Sequence, residues 1–318
     1  MVDVNFFGVT ESPAMRMACL RVPSNAPRLY KDVSFHINHP EAEWQLVGTW
    51  ELEQFVAQGG DRRAGQRCIY LQQEPPVMRW PAAGLLERFA AILTPMAMDR
   101  EGPPQFIGAP ALRWTYGLHV EMREGVGHWF SEQGGLSWET LQGMTMPRKE
   151  RLCSMIVSQK AFLPGHQARL DFFRRLTQHF QGRIDFFGFG FHPIPDKREA
   201  IDPYLFSIAV ENSAYAHYWT EKIADVYLGY GMPIYFGAPN IHHYFPPDSL
   251  QRIDLQQQDA TIARIETLLD HPEQYAGPAV AEARRRLLEE HNLFDWVVRV
   301  IRQLDDGKPS TGRGGDES

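Results

Sequence analysis

A chain of 318 residues exceeds the usual single-domain size, so two domains of about 150 residues each are expected. With 43% hydrophobic and 22% charged residues it has the composition of an ordinary globular protein, and a formal net charge of −7 argues against a general nucleic-acid binder. Three widely spaced cysteines, Cys19, Cys68 and Cys153, exclude a disulfide framework or a CxxC zinc site and fit a reducing compartment.

The N-terminal residues MVDVNFFGVTESPAMRM lack a charged segment followed by a long apolar one, so no secretory leader is expected. No apolar run reaches the ~18 residues of a membrane-spanning helix, and a cytoplasmic enzyme is the expected class. DVNFFGV (3–9) is a short apolar run suited to a buried parallel strand; SFHINH (34–39) reads as a second and CIYLQQEPP (68–76) as a third. Pro75 and Pro76 cannot continue a ladder, which puts Gln73 and Glu74 at the strand's C-terminal end. LLERFAAILTPMAM (85–98) has helical spacing and stops at Pro95. From Glu101 to Lys149 the chain is rich in Gly, Pro and Trp and reads as irregular structure leading into a linker. The charged run RKER (148–151) reads as a solvated connection there. The expected organisation is an N-terminal domain over 1–148, a C-terminal domain over 149–304 and a disordered, Gly-rich polar tail over 305–318.

The second half is more regular. CSMIVSQK (153–160) predicts a strand, ARLDFFRRLTQHF (168–180) an amphipathic helix, RIDFFGFG (183–190) and YLFSIAV (204–210) two strands. TEKIADVYLGYG (220–231) predicts a helix closing on glycines and MPIYFG (232–237) a further strand; 259–270 and 279–304 supply two more helices. The order β-α-β-β-α-β with near-continuous apolar strands marks an open parallel sheet covered by helices. Such sheets bind ligands beyond the carboxyl ends of their strands.

The stretch ENSAYAHYWTEK (211–222) lies at such an end, between a buried strand and a helix opened by Thr220. Glu221 and Lys222 fall in the first helical turn, where free backbone N–H groups and the helix dipole favour an anion. A lysine there does not help the helix, and an anionic ligand touching both Lys222 and the helix start would remove the conflict. Glu221 cannot pair with a phosphate, but it suits two hydroxyls such as those of a ribose. A Thr-capped surface helix with a solvated Glu and Lys is the alternative that spacing leaves open.

Residues 204–255 closely resemble the nucleotide-sugar-binding segment of the α1,3/4-fucosyltransferase family, glycosyltransferase family 10. The elements that carry the likeness are Glu211–Asn212–Ser213, Tyr218–Trp219–Thr220–Glu221–Lys222, Pro233–Ile234–Tyr235–Phe236–Gly237 and Phe245–Pro246–Pro247–Asp248–Ser249. Leu250 stands where the family has Phe, and a looser match reaches back to Ser154. The resemblance implies an α/β chain of GT-B fold, two Rossmann-like domains with a donor/acceptor cleft between them, in a bacterial-type member. It implies GDP-fucose as donor. Lys222 and Arg169 match the lysine and arginine on the pyrophosphate, Glu221 the carboxylate on the ribose, Tyr218 an aromatic wall and Asn212 a polar group of the donor pocket. Glu211, Ser213 and Thr220 are secondary donor-pocket candidates.

The family's general base is a Glu in a segment N-x-E-(S/P)-P; Glu74 before Pro75–Pro76 matches it, with Gln72 in place of Asn. The implied reaction is inverting transfer of fucose to a hydroxyl of a glycan or glycoconjugate. Glu74 takes the proton, Arg169 and Lys222 stabilise the departing GDP, and no metal or other cofactor is obligatory. A GT-B transferase using another GDP-sugar or a non-glycan acceptor, and a catalytically idle glycan-binding homologue, are the other readings. FFGFGF (186–191) has one GxG and reads as a strand running into a turn. Asp196 and Asp202 make no DxD motif, and His242–His243 and the pair His36, His39 show no convergent third ligand, so no metal site is expected. Trp114, Tyr116 and Trp129 read as core packing, with a sugar-stacking acceptor wall as the alternative.

Overall fold

The apolar runs of the first hundred residues become neighbours in one sheet. The computed structural model describes every residue except 24, 83, 100, 110–112, 124–126, 132–134, 160, 162–163, 276 and 308–318, and of 122–129 no side chains. Its first seven strands are β1 (Val2–Phe6), β2 (Arg28–Tyr30), β3 (Val33–Ile37), β4 (Trp44–Gly48), β5 (Arg67–Leu71), β6 (Ala91–Thr94) and β7 (Gln105–Ile107). They stand in the order β2-β3-β1-β4-β5-β6-β7, parallel throughout apart from the antiparallel edge pair β2–β3. Two helices, α1 (Pro13–Leu20) and α2 (Leu52–Ala57), accompany them. Val47, Phe55, Tyr70, Phe89 and Ile92 share one buried cluster, so α2 packs on the side chains of β4, β5 and β6.

Residues 85–98 are not the helix that their spacing predicts. Leu85 to Phe89 form turns, and Ala91–Thr94 is a strand between β5 and β7 with every residue buried. A strand covered on both faces loses the period of two that would identify it, and ladder bonds on both sides outweigh the local helical preference. The region read as irregular between 101 and 149 likewise contains ordered elements. These are β7, an antiparallel pair β8 (Val120–Arg123) and β9 (Gly127–Phe130), and the short helix α3 (Trp138–Gly143).

The second sheet matches the predicted alternation closely. Its strands are β10 (Arg151–Ile156), β11 (Ile184–Phe187), β12 (Tyr204–Val210), β13 (Met232–Phe236) and β14 (Gln251–Arg252), all parallel in the order β11-β10-β12-β13-β14. Its helices are α4 (Pro164–His179), α5 (Arg198–Ile201), α6 (Glu221–Leu228), α7 (Gln258–Asp270) and α8 (Pro278–Glu289). The glycines after β11 serve a turn: Gly188 has φ +126, and a Cβ there would stand 1.8 Å from the Val157 carbonyl oxygen. Trp114 and Tyr116 belong to the core of this unit, Trp114 stacked on Trp138 and the Tyr116 hydroxyl donating to Asp202 at 2.6 Å. The Trp129 side chain lies outside the described residues.

The predicted helix 279–304 is two helices. Asn292 interrupts it as an N-cap, its side chain accepting from the Asp295 N–H at 2.8 Å, and α9 (Leu293–Asp305) follows. By compactness the chain falls into two units, one of residues 1–112, 215–218 and 290–318, the other of 113–214 and 219–289. The expected domain boundary at 148/149 therefore lies inside the second unit, at the start of β10, and α9 belongs to the first. Of the expected tail, Asp305 ends α9 and 308–318 lie outside the described residues. Among the described residues no helix is long and apolar enough to cross a membrane.

A buried carboxylate and a half-buried ammonium fix the helices of the second unit. Asp225 on α6, 1% exposed, accepts from the backbone N–H groups of Thr115 and Tyr116 at 3.0 Å each, from the Thr115 hydroxyl at 2.8 Å and from Lys197 at 2.6 Å. Lys149, inside the run read as a solvated connection, instead donates to the carbonyls of Ile201 and Gly229 at the ends of α5 and α6, where a cation is favoured. Burial brings its ammonium down to about 8. Replacing Asp225 by Ala strands two backbone N–H groups and a lysine, and should lower unfolding free energy by on the order of 3 kcal/mol. Denaturant unfolding measures it, with Asp171→Ala, a break in an exposed pair, as the near-neutral reference.

Candidate active site

The chemistry predicted for the second unit collects at the carboxyl end of β12. The ladder runs one residue past the strand, the Glu211 N–H donating to the Phe236 carbonyl at 2.8 Å, and this buries the Glu211 side chain completely. A carboxylate out of water needs donors, and Thr220 supplies two, its N–H and its hydroxyl each 2.8 Å from Glu211. Thr220 is also the N-cap of α6: its oxygen accepts from the Lys222 N–H at 3.3 Å and from Lys222 Nζ at 3.1 Å. Lys222 Nζ in turn lies 3.3 Å from Glu211 and 3.4 Å from Glu221. One threonine thus joins the strand end, the helix start and the lysine.

Arg169 approaches from α4. The residue is 5% exposed, and its guanidinium donates to Asn212 Oδ1 at 2.8 Å and to the Ser158 carbonyl and hydroxyl at 3.4 and 3.3 Å. Its Nε is buried and has no hydrogen-bond partner among the described residues. The approach depends on Gly165, where a Cβ would stand 1.8 Å from the Asn212 carbonyl oxygen; any other residue would push α4 off the loop after β12. Arg169, Asn212, Glu211, Thr220, Glu221 and Lys222 therefore form one cluster. Ser213, half-buried, takes no part in these hydrogen bonds. Tyr218 is 2% exposed and belongs to the segment 215–218 of the first unit.

The electrostatics are those of a compact quartet of two cations and two carboxylates. Burial raises the Glu211 carboxyl above its usual range, opposed by Lys222. For Glu221 burial is outweighed by the charges of Lys222 and Lys197, which hold it down to about 2. Burial disfavours the Lys222 charge, but Glu221 and Glu211 together raise its affinity for the proton above the ordinary lysine value. Burial lowers that of Arg169, opposed by Glu211 and Glu221. Ser158 and Lys197 carry no motif that sequence reading detects; they reach the cluster only through the fold. Trp219, left without a role by its sequence, is 1% exposed and meets Tyr244 and Phe245 edge-on, with ring centroids at 5.5 and 5.2 Å. It is a core residue beneath the helix start.

Glu74 lies in the first unit, past the carboxyl end of β5. Its loop is held by Gln72, which is fully buried. The Gln72 side-chain amide donates to the Glu74 carbonyl and, at 2.9 Å, to the Arg79 carbonyl, while the Tyr70 hydroxyl donates to Gln72 Oε1 at 2.5 Å. The Gln73 N–H donates to Thr49 Oγ1 at 2.8 Å. Trp50, 51% exposed, donates from Nε1 to Glu74 Oε1 at 3.4 Å, and the Arg79 guanidinium lies 4.9 Å from its ring centroid. Neither Trp50 nor Arg79 stands out in the sequence; the strand ends bring them to Glu74.

Comparison with known proteins follows the same division. Residues 146–277 match the family model for the C-terminal part of glycosyltransferase family 10 (fucosyltransferase). An α-(1,3)-fucosyltransferase of Helicobacter pylori is 34% identical over 83 residues, which cover 26% of this chain and 17% of that protein. α-(1,3)-Fucosyltransferase 4 of Bos taurus is 28% identical over 228 residues, 69% of this chain and 50% of that one. The chain spans half or less of the length of these curated relatives. Two crystal structures of α1,3-fucosyltransferase share the fold: one gives a TM-score of 0.54 at 15% identity, covering 96% of this chain and 90% of the other. The second, solved with GDP, gives 0.53 at 16% identity, covering 98% and 92%.

The depressed Glu221 carboxyl sets a pH signature. Its folded value lies below the unfolded one of 4.5, so the stability it contributes is present above 4.5 and is lost as pH falls towards 2. In urea unfolding between pH 6 and about 2, the stability difference between wild type and Glu221→Gln should shrink through that window. A difference independent of pH would contradict the assignment.

Proposed function

We propose that this chain, of GT-B fold and matching over residues 146–277 the model for the C-terminal part of glycosyltransferase family 10, is a member of that family and transfers fucose from GDP-fucose to a hydroxyl of a glycan acceptor with inversion. The observation that carries this reading is the buried Arg169, whose Nε is without a partner among the described residues, in the same cluster as Lys222 on the first turn of α6. A buried donor left unmatched costs about 1–3 kcal/mol, which an anionic ligand at this position would recover. The fold shared with an α1,3-fucosyltransferase solved with GDP supports a guanosine diphosphate donor.

In this reading the diphosphate takes hydrogen bonds from Arg169 and Lys222, and both cations gain strength as charge develops on the leaving GDP. Asn212 orients the guanidinium through its 2.8 Å bond. Glu221, held ionised, accepts from ribose hydroxyls, while Glu211 and Thr220 hold the lysine, and Tyr218 lines the donor pocket. Glu74 is the general base that takes the acceptor proton, its carboxylate oriented by the Trp50 N–H and its backbone by Gln72. Two fixed side-chain cations do the work that a divalent ion does in other transferases, so turnover should persist in chelator. Cys19, Cys68 and Cys153, all buried and none in a disulfide, support a reducing cytoplasm as its compartment.

The test separates donor from base. Arg169→Lys and Lys222→Gln should each weaken GDP binding by calorimetry about 10- to 100-fold, because each removes charge-assisted hydrogen bonds and lysine cannot reproduce the arginine fork. Glu74→Gln should bind GDP as wild type does and lose about 10²- to 10⁴-fold in turnover of GDP-fucose with a glycan acceptor. Unchanged GDP affinity in both cation variants would overturn the donor site; full turnover in Glu74→Gln would overturn the base.

A further inference from the structure

His36 and His39 read in the sequence as two histidines without a third ligand, and the fold supplies one. On the adjacent parallel strands β1 and β3, Asp3 pairs with Ser34 and Asn5 with His36. The diagonal of that register brings His36 Nε2 to 2.9 Å from Asp3 Oδ1. His39 lies beyond the end of β3 and is returned to the same place by a turn. Asn38 takes a left-handed φ of 56, a conformation asparagine tolerates better than most residues. The His39 N–H then donates to Asn5 Oδ1 at 2.9 Å, and the Asn5 amide donates to the buried Gln45 at 2.9 Å. The two imidazole rings end 4.6 Å apart.

One ligand atom from each of Asp3, His36 and His39 lies within 4.8 Å of the others, and all three side chains are half-buried. Among the described residues the His39 ring makes no hydrogen bond or ion pair. Its backbone is fixed from beneath while its ligand atoms are uncommitted, which is the state of a ligand waiting for a partner. A tetrahedral ion at about 2.0–2.2 Å from each donor holds those donors about 3.4 Å apart, a separation that small rotations of the half-buried rings reach. Two imidazoles with one carboxylate select a borderline transition ion. Calcium and magnesium prefer all-oxygen sets. The three cysteines, all buried, offer no competing thiolate site.

We propose that Asp3, His36 and His39 form a zinc-class divalent metal site within the first unit, with water completing the coordination. The ion would tie the first strand to the end of β3, so it would stabilise the folded chain in proportion to its occupancy.

The full chain, stripped of divalent ions with chelator, is titrated with zinc chloride by calorimetry and melted with and without zinc. Wild type should bind about one zinc per chain and melt at a higher temperature with zinc, while magnesium does neither. Asp3→Asn, His36→Gln and His39→Gln should each weaken zinc binding at least about tenfold and lose the shift. His242→Gln, at the other histidine pair, should change nothing. Because the His39 ring makes no hydrogen bond or ion pair among the described residues, His39→Gln should keep the zinc-free melting temperature, so its loss of zinc binding reports a lost ligand. No binding by wild type, or binding unchanged in His39→Gln, or binding removed by His242→Gln, would overturn the site.

Discussion

The second unit depends on how it buries one carboxylate. Glu211 sits at the end of β12 with no contact to water, and an ionised carboxyl there without partners would cost several kcal/mol. Thr220 N–H, Thr220 hydroxyl and Lys222 Nζ together meet that need, all from within two residues of the start of α6. The consequence is geometric. Helix α6 cannot begin anywhere else, Lys222 cannot extend freely into solvent, and the loop 212–219 must close between fixed ends. A sheet end, a helix cap and a charged side chain are set by one set of hydrogen bonds.

The same quartet bears on the anion site proposed above. Arg169 and Lys222 are formally balanced by Glu211 and Glu221, so the cluster stands without a ligand. Lys222 is shared between two carboxylates and cannot also be the sole anchor of a diphosphate. Arg169 is different: two of its nitrogens have neutral oxygen partners, Asn212 and Ser158, and the third has none among the described residues. Its positive charge is buried without a direct carboxylate contact, and burial lowers its proton affinity. An anion at that guanidinium would gain more than one at the lysine, and this ranks Arg169 first among the proposed donor residues.

Much of this was legible in the sequence. The parallel alternation 153–237, the Thr220 cap and the convergence of Asn212, Glu221 and Lys222 followed from strand length, capping chemistry and motif. Glu211 proved more central than its secondary place suggested, because complete burial is invisible in a local reading. β6 was hidden for the opposite reason: four apolar residues buried on both faces carry no period, and flanking leucines and phenylalanines imitate a helix. The break at Asn292 lies within one long amphipathic run, where an asparagine cap is easily passed over, and the cap hydrogen bond fixes it. Trp50 at Glu74, Asp3 at His36 and Lys197 at Glu221 are meetings made by strand order or helix packing across 24 or more positions, which no local pattern encodes.

The Arg169–Lys222 cluster is proposed to receive the diphosphate of a GDP-sugar. A crystal structure of the chain with GDP tests it most directly. Diphosphate oxygens should lie within hydrogen-bond distance of Arg169 Nε and Lys222 Nζ, with Glu221 at the ribose. GDP bound elsewhere, with Arg169 Nε still unmatched, would contradict it.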